Sequence, residues 1–148
     1  DRRAFTAQDF GLHHPGGSLG MSLQSVREWM GDNLAIPASV GLDAGFLQIV
    51  SSITEGRKGA VAVLHDDGTL AGIITDGDIR RAFSDDISSI RASDIMSATP
   101  ITVTPDQRMS DVVDRLAANK IANLFVVEND RPVAIVHIAE LMQAGYVA

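Results

Sequence analysis

Apolar residues recur with the spacing i, i+3, i+4 and i+7 in two separate segments of the chain. The second segment begins 63 positions after the first (109 minus 46). The apolar positions are Phe46, Ile49, Val50, Ile53, Met109, Val112, Val113 and Leu116. This spacing places the apolar side chains on one face of a helix, so it predicts an amphipathic helix in each segment.

Two short β-rich runs and a short helix are predicted after the first amphipathic helix. The runs cover residues 60–65 and 70–75, and the helix covers residues 78–83. Asp67 and Gly68 lie between the two runs, and Asp-Gly is a strong signal for a hairpin turn. The corresponding elements after the second amphipathic helix are residues 123–128, 132–137 and 138–144.

The same order of elements therefore occurs twice, and matched residues outside the helices support an internal repeat. Lys58 matches Lys120 at an offset of 62 (120 minus 58), and Gly72 matches Ala134 at the same offset. Each unit has about 55–60 residues, a size at which a single domain buries too little surface to be robust. We therefore predict an α/β (α+β) fold in which two β-α-β-β-α repeats pack sheet to sheet.

The repeat also fixes the expected domain boundaries. The first unit is predicted over residues 25–84 and the second over residues 92–148, with the polar stretch 85–91 as a linker. In the second unit, Thr104 as N-cap, with Pro105 after it and Gln107 three residues beyond the cap, predicts that the helix begins at residue 105.

Composition excludes several classes of function. The net charge of −7 opposes binding to nucleic acid and to anionic membranes, because nucleic-acid binding depends on Lys and Arg that neutralise phosphates. The chain has no cysteine, so a disulfide scaffold and cysteine-ligated zinc are excluded. His13 and His14 are adjacent and tend to point apart, so no metal site is predicted. No apolar run approaches the length of a membrane span, and a cytoplasmic location is expected.

A motif follows the hairpin of the first repeat, where the last strand enters the last helix. Residues 72–81 read Gly-Ile-Ile-Thr-Asp-Gly-Asp-Ile-Arg-Arg and resemble the CBS domain, whose pattern is a hydrophobic residue, Thr or Ser, two residues and Asp. The resemblance covers about residues 25–148. It implies a CBS pair (a Bateman module), whose clefts often hold adenosine nucleotides. It associates Thr75 with a ligand phosphate and Asp78 with ribose hydroxyls.

Other segments are similar to one group of CBS proteins, the arabinose-5-phosphate isomerases. These are residues 5–10, 14–20 and 141–145. The resemblance implies that residues 1–24 are a linker from a sugar-isomerase domain absent from this chain, in which His14 would reach the catalytic site. Such isomerases interconvert ribulose 5-phosphate and arabinose 5-phosphate for Kdo and lipopolysaccharide synthesis. The fragment alone is expected to be no enzyme, and its parent is expected to be one.

The resemblance also implies the ligand and the partners. We expect no cofactor, a regulatory ligand such as AMP, ATP or CMP-Kdo, a homodimer formed through the CBS pairs, and contact with the isomerase domain. The candidate ligand-binding residues are Lys58, Thr75, Asp76, Asp78, Arg80, Arg81, Lys120, His137 and Glu140.

Each candidate also has a structural interpretation. Thr75 and Asp78 have the spacing of a helix capping box, and Lys58 and Lys120 are also explained as exposed charges at helix exits. Arg80 and Arg81 are equally explained as a solvated surface. In the second repeat, His137 and Glu140 replace the usual Thr or Ser and Asp. The alternative function is therefore a structural dimerisation module with degenerate clefts.

Overall fold

The computed structural model describes residues 23–83 and 86–147. His14 and nearly all of the expected leading linker 1–24 lie outside the described residues. Across the described part of the chain, every helix is too short or too polar to span a lipid bilayer.

The first repeat forms a three-stranded sheet with two helices, preceded by one further helix. Its elements are α1 (Val26–Asn33), β1 (Ser39–Gly41), α2 (Phe46–Gly56), β2 (Ala60–Leu64), β3 (Leu70–Thr75) and α3 (Asp76–Ala82). Strand β1 runs parallel to β2, and β2 runs antiparallel to β3. The predicted hairpin is confirmed, because Ala60 pairs with Thr75 and Val63 pairs with Gly72.

The second repeat has the same order and the same strand pairing. Its elements are a 3-10 turn (Ile87–Ser89), α4 (Ala92–Ile95), β4 (Thr102–Val103), α5 (Met109–Asn119), β5 (Asn123–Glu128), β6 (Arg131–His137) and α6 (Ile138–Ala144). Asn129 and Asp130 connect β5 to β6 with φ angles of 55° and 63°, as a two-residue turn between twisted strands requires. The predicted pair of β-α-β-β-α units is therefore confirmed.

The predicted start of the second amphipathic helix is wrong. Helix α5 begins at Met109, not at residue 105. The Gln107 side chain does accept the Thr104 backbone N–H at 2.9 Å, but this contact closes a turn. Met109 then donates its backbone N–H to the Gln24 carbonyl at 2.8 Å, and Arg108 forms a bridge with Ser25. A turn at residues 104–107 followed by pairing of residue 108 with the distant segment before α1 therefore delays the start of the helix.

The short helix before each repeat packs on the other repeat. Val26 and Trp29 of α1 are buried in the core formed by α5, β5 and β6. The Tyr146 hydroxyl donates a hydrogen bond to Gln24 beside this helix, and burial raises the pKa of Tyr146 to about 12. In the reciprocal arrangement, Ala92 of α4 is buried in the core of the first repeat. The two repeats therefore exchange these helices.

The two sheets face each other across a small apolar layer. Ala60 and Ala62 of β2 pack with Phe125 and Ile135 of the second sheet, and all four side chains are buried. At one edge of this layer, Ile73 exchanges two backbone hydrogen bonds with Ser97, at 3.0 and 2.8 Å. The predicted sheet-to-sheet packing is confirmed, and residues from both repeats meet at that edge.

Candidate ligand-binding cleft

A cleft of about 480 Å³ lies between the two repeats, at the edge where β3 meets the segment before β4. A volume of this size falls within the range typical of small-molecule sites. Its lining residues are Gly59, Ile73, Thr75, Asp76, Gly77, Asp78, Ser97, Thr99, Pro100, Ile101, Lys120, Ile121, Ala122, Asn123 and His137. Five of the nine candidate ligand-binding residues therefore lie at this cleft, and the other four lie elsewhere.

The Thr75–Asp78 motif enters the cleft from the end of β3 and the first turn of α3. One oxygen of the Asp78 carboxylate, Oδ2, accepts the Thr75 backbone N–H at 2.9 Å and the Thr75 hydroxyl at 3.2 Å. This is the capping contact that the spacing predicts. The Asp78 side chain is 18% exposed and remains at the cleft, so capping does not remove it from reach of a ligand.

The second oxygen of Asp78 is bound by a residue one turn further along α3. The Arg81 guanidinium donates to Oδ1 at 2.5 Å, while 73% of the Arg81 side chain is exposed. Arg80 is also exposed. Neither arginine lines the cleft. Arg81 therefore contacts the Asp78 carboxylate from outside the cleft lining.

The opposite wall of the cleft comes from the second repeat. Asn123 is 8% exposed and donates its side-chain amide to the Lys58 carbonyl at 2.9 Å. His137 accepts the Ala139 backbone N–H at Nδ1, so the neutral imidazole carries its proton on Nε2. Lys120 follows α5 with a φ of 54° and is a lining residue whose side chain carries an ammonium group. This wall therefore offers two hydrogen-bonding side chains and one cation.

The charges of the lining limit what the cleft can hold. Asp76 and Asp78 are its two carboxylates, and Lys120 is the one Lys or Arg among the described lining residues. Ile73, Pro100 and Ile101 form an apolar surface that can cover a flat ring. Within the described residues, His, Asp and Glu side chains do not gather in groups of three or more that would hold a metal ion.

The remaining candidates lie at the corresponding position of the other repeat. Lys58 Nζ lies 3.2 Å from the Glu140 carboxylate, and both side chains are about three-quarters buried, with 27% and 24% exposure. The other Glu140 oxygen accepts the His137 backbone N–H at 2.9 Å. The predicted match of Lys58 with Lys120 is wrong, because the strands that begin at Ala60 and Asn123 are equivalent at an offset of 63. Lys120 therefore corresponds to Arg57, the left-handed residue that ends α2, and Lys58 corresponds to Ile121.

The sequence reasoning missed part of the cleft wall. Residues 97–101 were not predicted to contribute, because nothing in their composition separates them from an ordinary loop. Asn123 was missed although it carried a signal. It is a polar residue at the start of a strand that is otherwise largely apolar, and the matching residue of the first repeat is Ala60, 63 residues earlier (123 minus 60).

Comparison with known families agrees with this architecture. The sequence model described as "CBS domain" matches residues 26–85 and again residues 92–146. The chain belongs to the CBS domain family. Each match contains one β-α-β-β-α unit together with the helix before it, so the protein is a CBS pair.

The CBS pair is similar to part of several longer enzymes. It is 32% identical to the arabinose 5-phosphate isomerase KdsD of Yersinia pestis over 98% of this chain and 45% of that protein. It is 38% identical to the arabinose 5-phosphate isomerase KpsF of Escherichia coli over 84% of this chain and 38% of that protein. The chain thus spans less than half the length of these relatives, and the predicted resemblance to this group is confirmed.

Solved structures confirm the fold. A CBS-domain protein from Agrobacterium tumefaciens superposes with a TM-score of 0.73 at 20% identity, covering 84% of this chain and 95% of that chain. The CBS domain pair of protein MJ0100, in complex with 5′-methylthioadenosine and S-adenosyl-L-methionine, superposes with a TM-score of 0.69 at 22% identity. That match covers 82% of this chain and 98% of that chain.

Proposed function

We propose that this CBS pair is the regulatory module of a sugar-phosphate isomerase, and that it binds a nucleotide or nucleotide-sugar in the cleft between its repeats. The parent activity would be the interconversion of arabinose 5-phosphate and ribulose 5-phosphate, which supplies Kdo and lipopolysaccharide synthesis. One observation carries the ligand-binding proposal. Acidic, amide, imidazole and ammonium groups from both repeats line one cleft of about 480 Å³ with an apolar wall.

The chemistry of the lining suggests how a nucleotide lies there. A base packs against the apolar surface of Ile73, Pro100 and Ile101, and the ribose hydroxyls donate to the Asp78 carboxylate. The phosphate lies towards the Lys120 ammonium, since charge-assisted hydrogen bonds are stronger than neutral ones. The buried amide of Asn123 is placed to contact a polar edge of the ligand.

The charge balance favours a ligand with few negative charges. One ammonium faces two carboxylates in the lining, so a triphosphate would be repelled more than a monophosphate. Among the expected ligands we therefore rank AMP above ATP. CMP-Kdo carries one phosphodiester and one carboxylate, and as an end product of the pathway it is a suitable feedback inhibitor.

Regulation follows from where the cleft lies. Thr75 and Asp78 belong to the first repeat, whereas Lys120, Asn123 and His137 belong to the second. A ligand that contacts both walls stabilises one relative placement of the repeats. The isomerase domain would respond because a ligand shifts an equilibrium towards the state that it binds better.

Calorimetric titration of the chain with AMP, ATP, CMP and CMP-Kdo tests this proposal, using Asp78→Ala and Asp111→Ala as a matched pair. Asp111 caps α5 as Asp78 caps α3, accepting the Arg108 backbone N–H at 3.0 Å, but it does not line the cleft. Each change removes one cap and should cost about 0.5–2 kcal/mol of stability. We expect Asp78→Ala alone to abolish nucleotide binding.

Equal affinities for both variants would contradict the ligand role and leave capping as the function of the motif. The chain would then be better explained as a structural dimerisation module. The ion pair between Lys58 and Glu140 favours that second candidate, because it is a structural contact at the position of a ligand site. Sedimentation would test it, because a dimerisation module is expected to form a homodimer to the same extent with and without nucleotide.

A further inference from the structure

The repeat allows the two clefts to be compared residue by residue. Strand pairing sets the correspondence, because Ala60 pairs with Thr75 as Asn123 pairs with His137. Thr75 therefore corresponds to His137 and Asp78 to Glu140 at an offset of 62, whereas Lys58, which precedes the hairpin, corresponds to Ile121 at an offset of 63 (121 minus 58). Ile121, Thr75 and Asp78 all line the cleft of about 480 Å³. Lys58, His137 and Glu140 therefore mark the equivalent second cleft, which the pseudo-twofold symmetry of the repeats relates to the first.

The acid of each motif has the same capping contact but a different second partner. Asp78 Oδ2 accepts the Thr75 backbone N–H, and Glu140 Oε1 accepts the His137 backbone N–H, both at 2.9 Å. The other Asp78 oxygen is bound by Arg81, whereas the residue that corresponds to Arg81 is Gln143 (143 minus 81 is 62). The second motif therefore lacks a cation on its own helix.

Glu140 finds its cation across the cleft instead. Its Oε2 lies 3.2 Å from Lys58 Nζ, and its side chain is one methylene longer than that of Asp78. In the first cleft the residue that corresponds to Lys58 is the apolar Ile121, which cannot form an ion pair with Asp78. The ion pair of the second motif thus has no counterpart in the first cleft.

We propose that the Lys58–Glu140 ion pair acts as a built-in occupant of the second cleft, so that each chain binds one nucleotide, in the first cleft alone. This inference rests on the proposed function of the first cleft. A ligand at the second cleft would have to separate two oppositely charged groups that are already mutually satisfied and about three-quarters buried. Breaking a buried pair leaves an uncompensated charge, which is strongly unfavourable.

The pair also links the two repeats, because Lys58 follows α2 of the first repeat and Glu140 lies in α6 of the second. The Lys58 carbonyl accepts the side-chain amide of Asn123, and Glu140 accepts the backbone N–H of His137. Asn123 and His137 both line the first cleft. The backbone of Lys58 and the carboxylate of Glu140 therefore each contact a residue that lines the first cleft.

Calorimetric stoichiometry gives the first test. AMP titrated into the wild-type chain should show one binding event per chain, and Asp78→Ala should remove it. Two events per chain, or one event that persists in Asp78→Ala and disappears in Glu140→Gln, would overturn the proposal. If no nucleotide bound at all, the proposed function would be refuted instead. Whether the Lys58–Glu140 ion pair occupies the second cleft would then be decided by a measurement without ligand.

That measurement is a double-mutant cycle on melting temperature with Lys58→Met, Glu140→Gln and the double variant. Both changes keep the side-chain length, and Gln can still accept the His137 N–H. Each single variant should melt below the wild type, and the double variant should melt no lower than the worse single. The exposed pair Arg27–Glu128, at 2.9 Å, is the matched control and should show little coupling. Additive losses at Lys58 and Glu140 would overturn the proposal.

Discussion

The first and second clefts have the same backbone framework but different chemistry. Both lie where a β-hairpin enters a short helix, and both are near a lysine that follows a long helix, although the two lysines occupy different positions of the repeat. In the first, Asp78 pairs with Arg81 on its own helix, which leaves Lys120 at the open cleft. In the second, Glu140 pairs with Lys58 across the cleft. A duplicated fold therefore positions two sites, and local charge pairing decides which remains available.

The walls of the two clefts also differ in how closely the chain approaches β3 and β6. A Cβ atom built on Gly72 would lie 2.5 Å from the Ser97 carbonyl oxygen and 2.8 Å from Met96 Sδ. The matching residue of the second repeat is Ala134, which already carries a Cβ and is fully buried. The first cleft is thus built around a close approach that the second repeat lacks.

The largest effect that we predict comes from Gly72→Ala. The added methyl group would push residues 96–97 away from β3 and break the paired hydrogen bonds between Ile73 and Ser97. Overpacking of this kind costs about 1–3 kcal/mol, and because Ser97 lines the first cleft, nucleotide affinity should fall as well. Denaturant unfolding and calorimetry on one preparation measure both effects.

The control for that prediction is Ala134→Gly in the second repeat. It removes a methyl group at the matching strand position, and it should lower stability while leaving the nucleotide affinity of the folded protein near that of the wild type. If Gly72→Ala were as stable as the wild type and bound nucleotide equally well, the close approach at Ser97 would not be what separates the two clefts.

Elements with a local signal were predictable from the sequence. The helical ridge from Phe46 and the Asp67-Gly68 turn indicated elements that the structure contains, and the offset of 62 indicated the duplicated fold. The capping spacing of Thr75 and Asp78 was also informative, since the contact is present. The helix, turn and capping signals depend on neighbours within a few residues, which a sequence displays directly.

Features that depend on distant partners were not predictable in the same way. The start of α5 was misplaced because residue 108 pairs with Ser25, which lies 83 residues earlier (108 minus 25). The exchange of α1 and α4 between repeats has no local signature. Lys58 and Lys120 look equivalent in the sequence, yet only the fold shows that they differ by one position. It also shows that Lys58 faces Glu140, whereas Lys120 lines the first cleft.

Lys120→Met should have a smaller effect than Gly72→Ala, and one confined to binding. Met keeps most of the side-chain stem but removes the only ammonium among the described lining residues. Loss of one charge-assisted hydrogen bond of about 1.5–3 kcal/mol should weaken AMP binding by about tenfold or more. Adenosine, which has no phosphate, should bind the variant and the wild type equally in calorimetry. Equal losses for AMP and adenosine would mean that Lys120 does not face the phosphate.

The smallest effect tests whether Arg81 keeps the first cleft open. Arg81→Gln introduces the residue type of Gln143 and frees Asp78 Oδ1, which could then pair with Lys120 as Glu140 pairs with Lys58. Stability should change by no more than about 0.5 kcal/mol, because the Arg81 side chain is 73% exposed. Affinity should fall a few-fold for both AMP and adenosine, since both need the Asp78 carboxylate.

Arg80→Gln is the matched control for this last change, because it removes the same charge from an adjacent exposed position that does not bind Asp78. A general loss of positive charge would weaken AMP binding equally in both variants and would leave adenosine unaffected. A loss of adenosine affinity confined to Arg81→Gln would instead show that Arg81 acts by holding the Asp78 carboxylate away from Lys120. Unchanged adenosine binding in both variants would remove Arg81 from the explanation of why the two clefts differ.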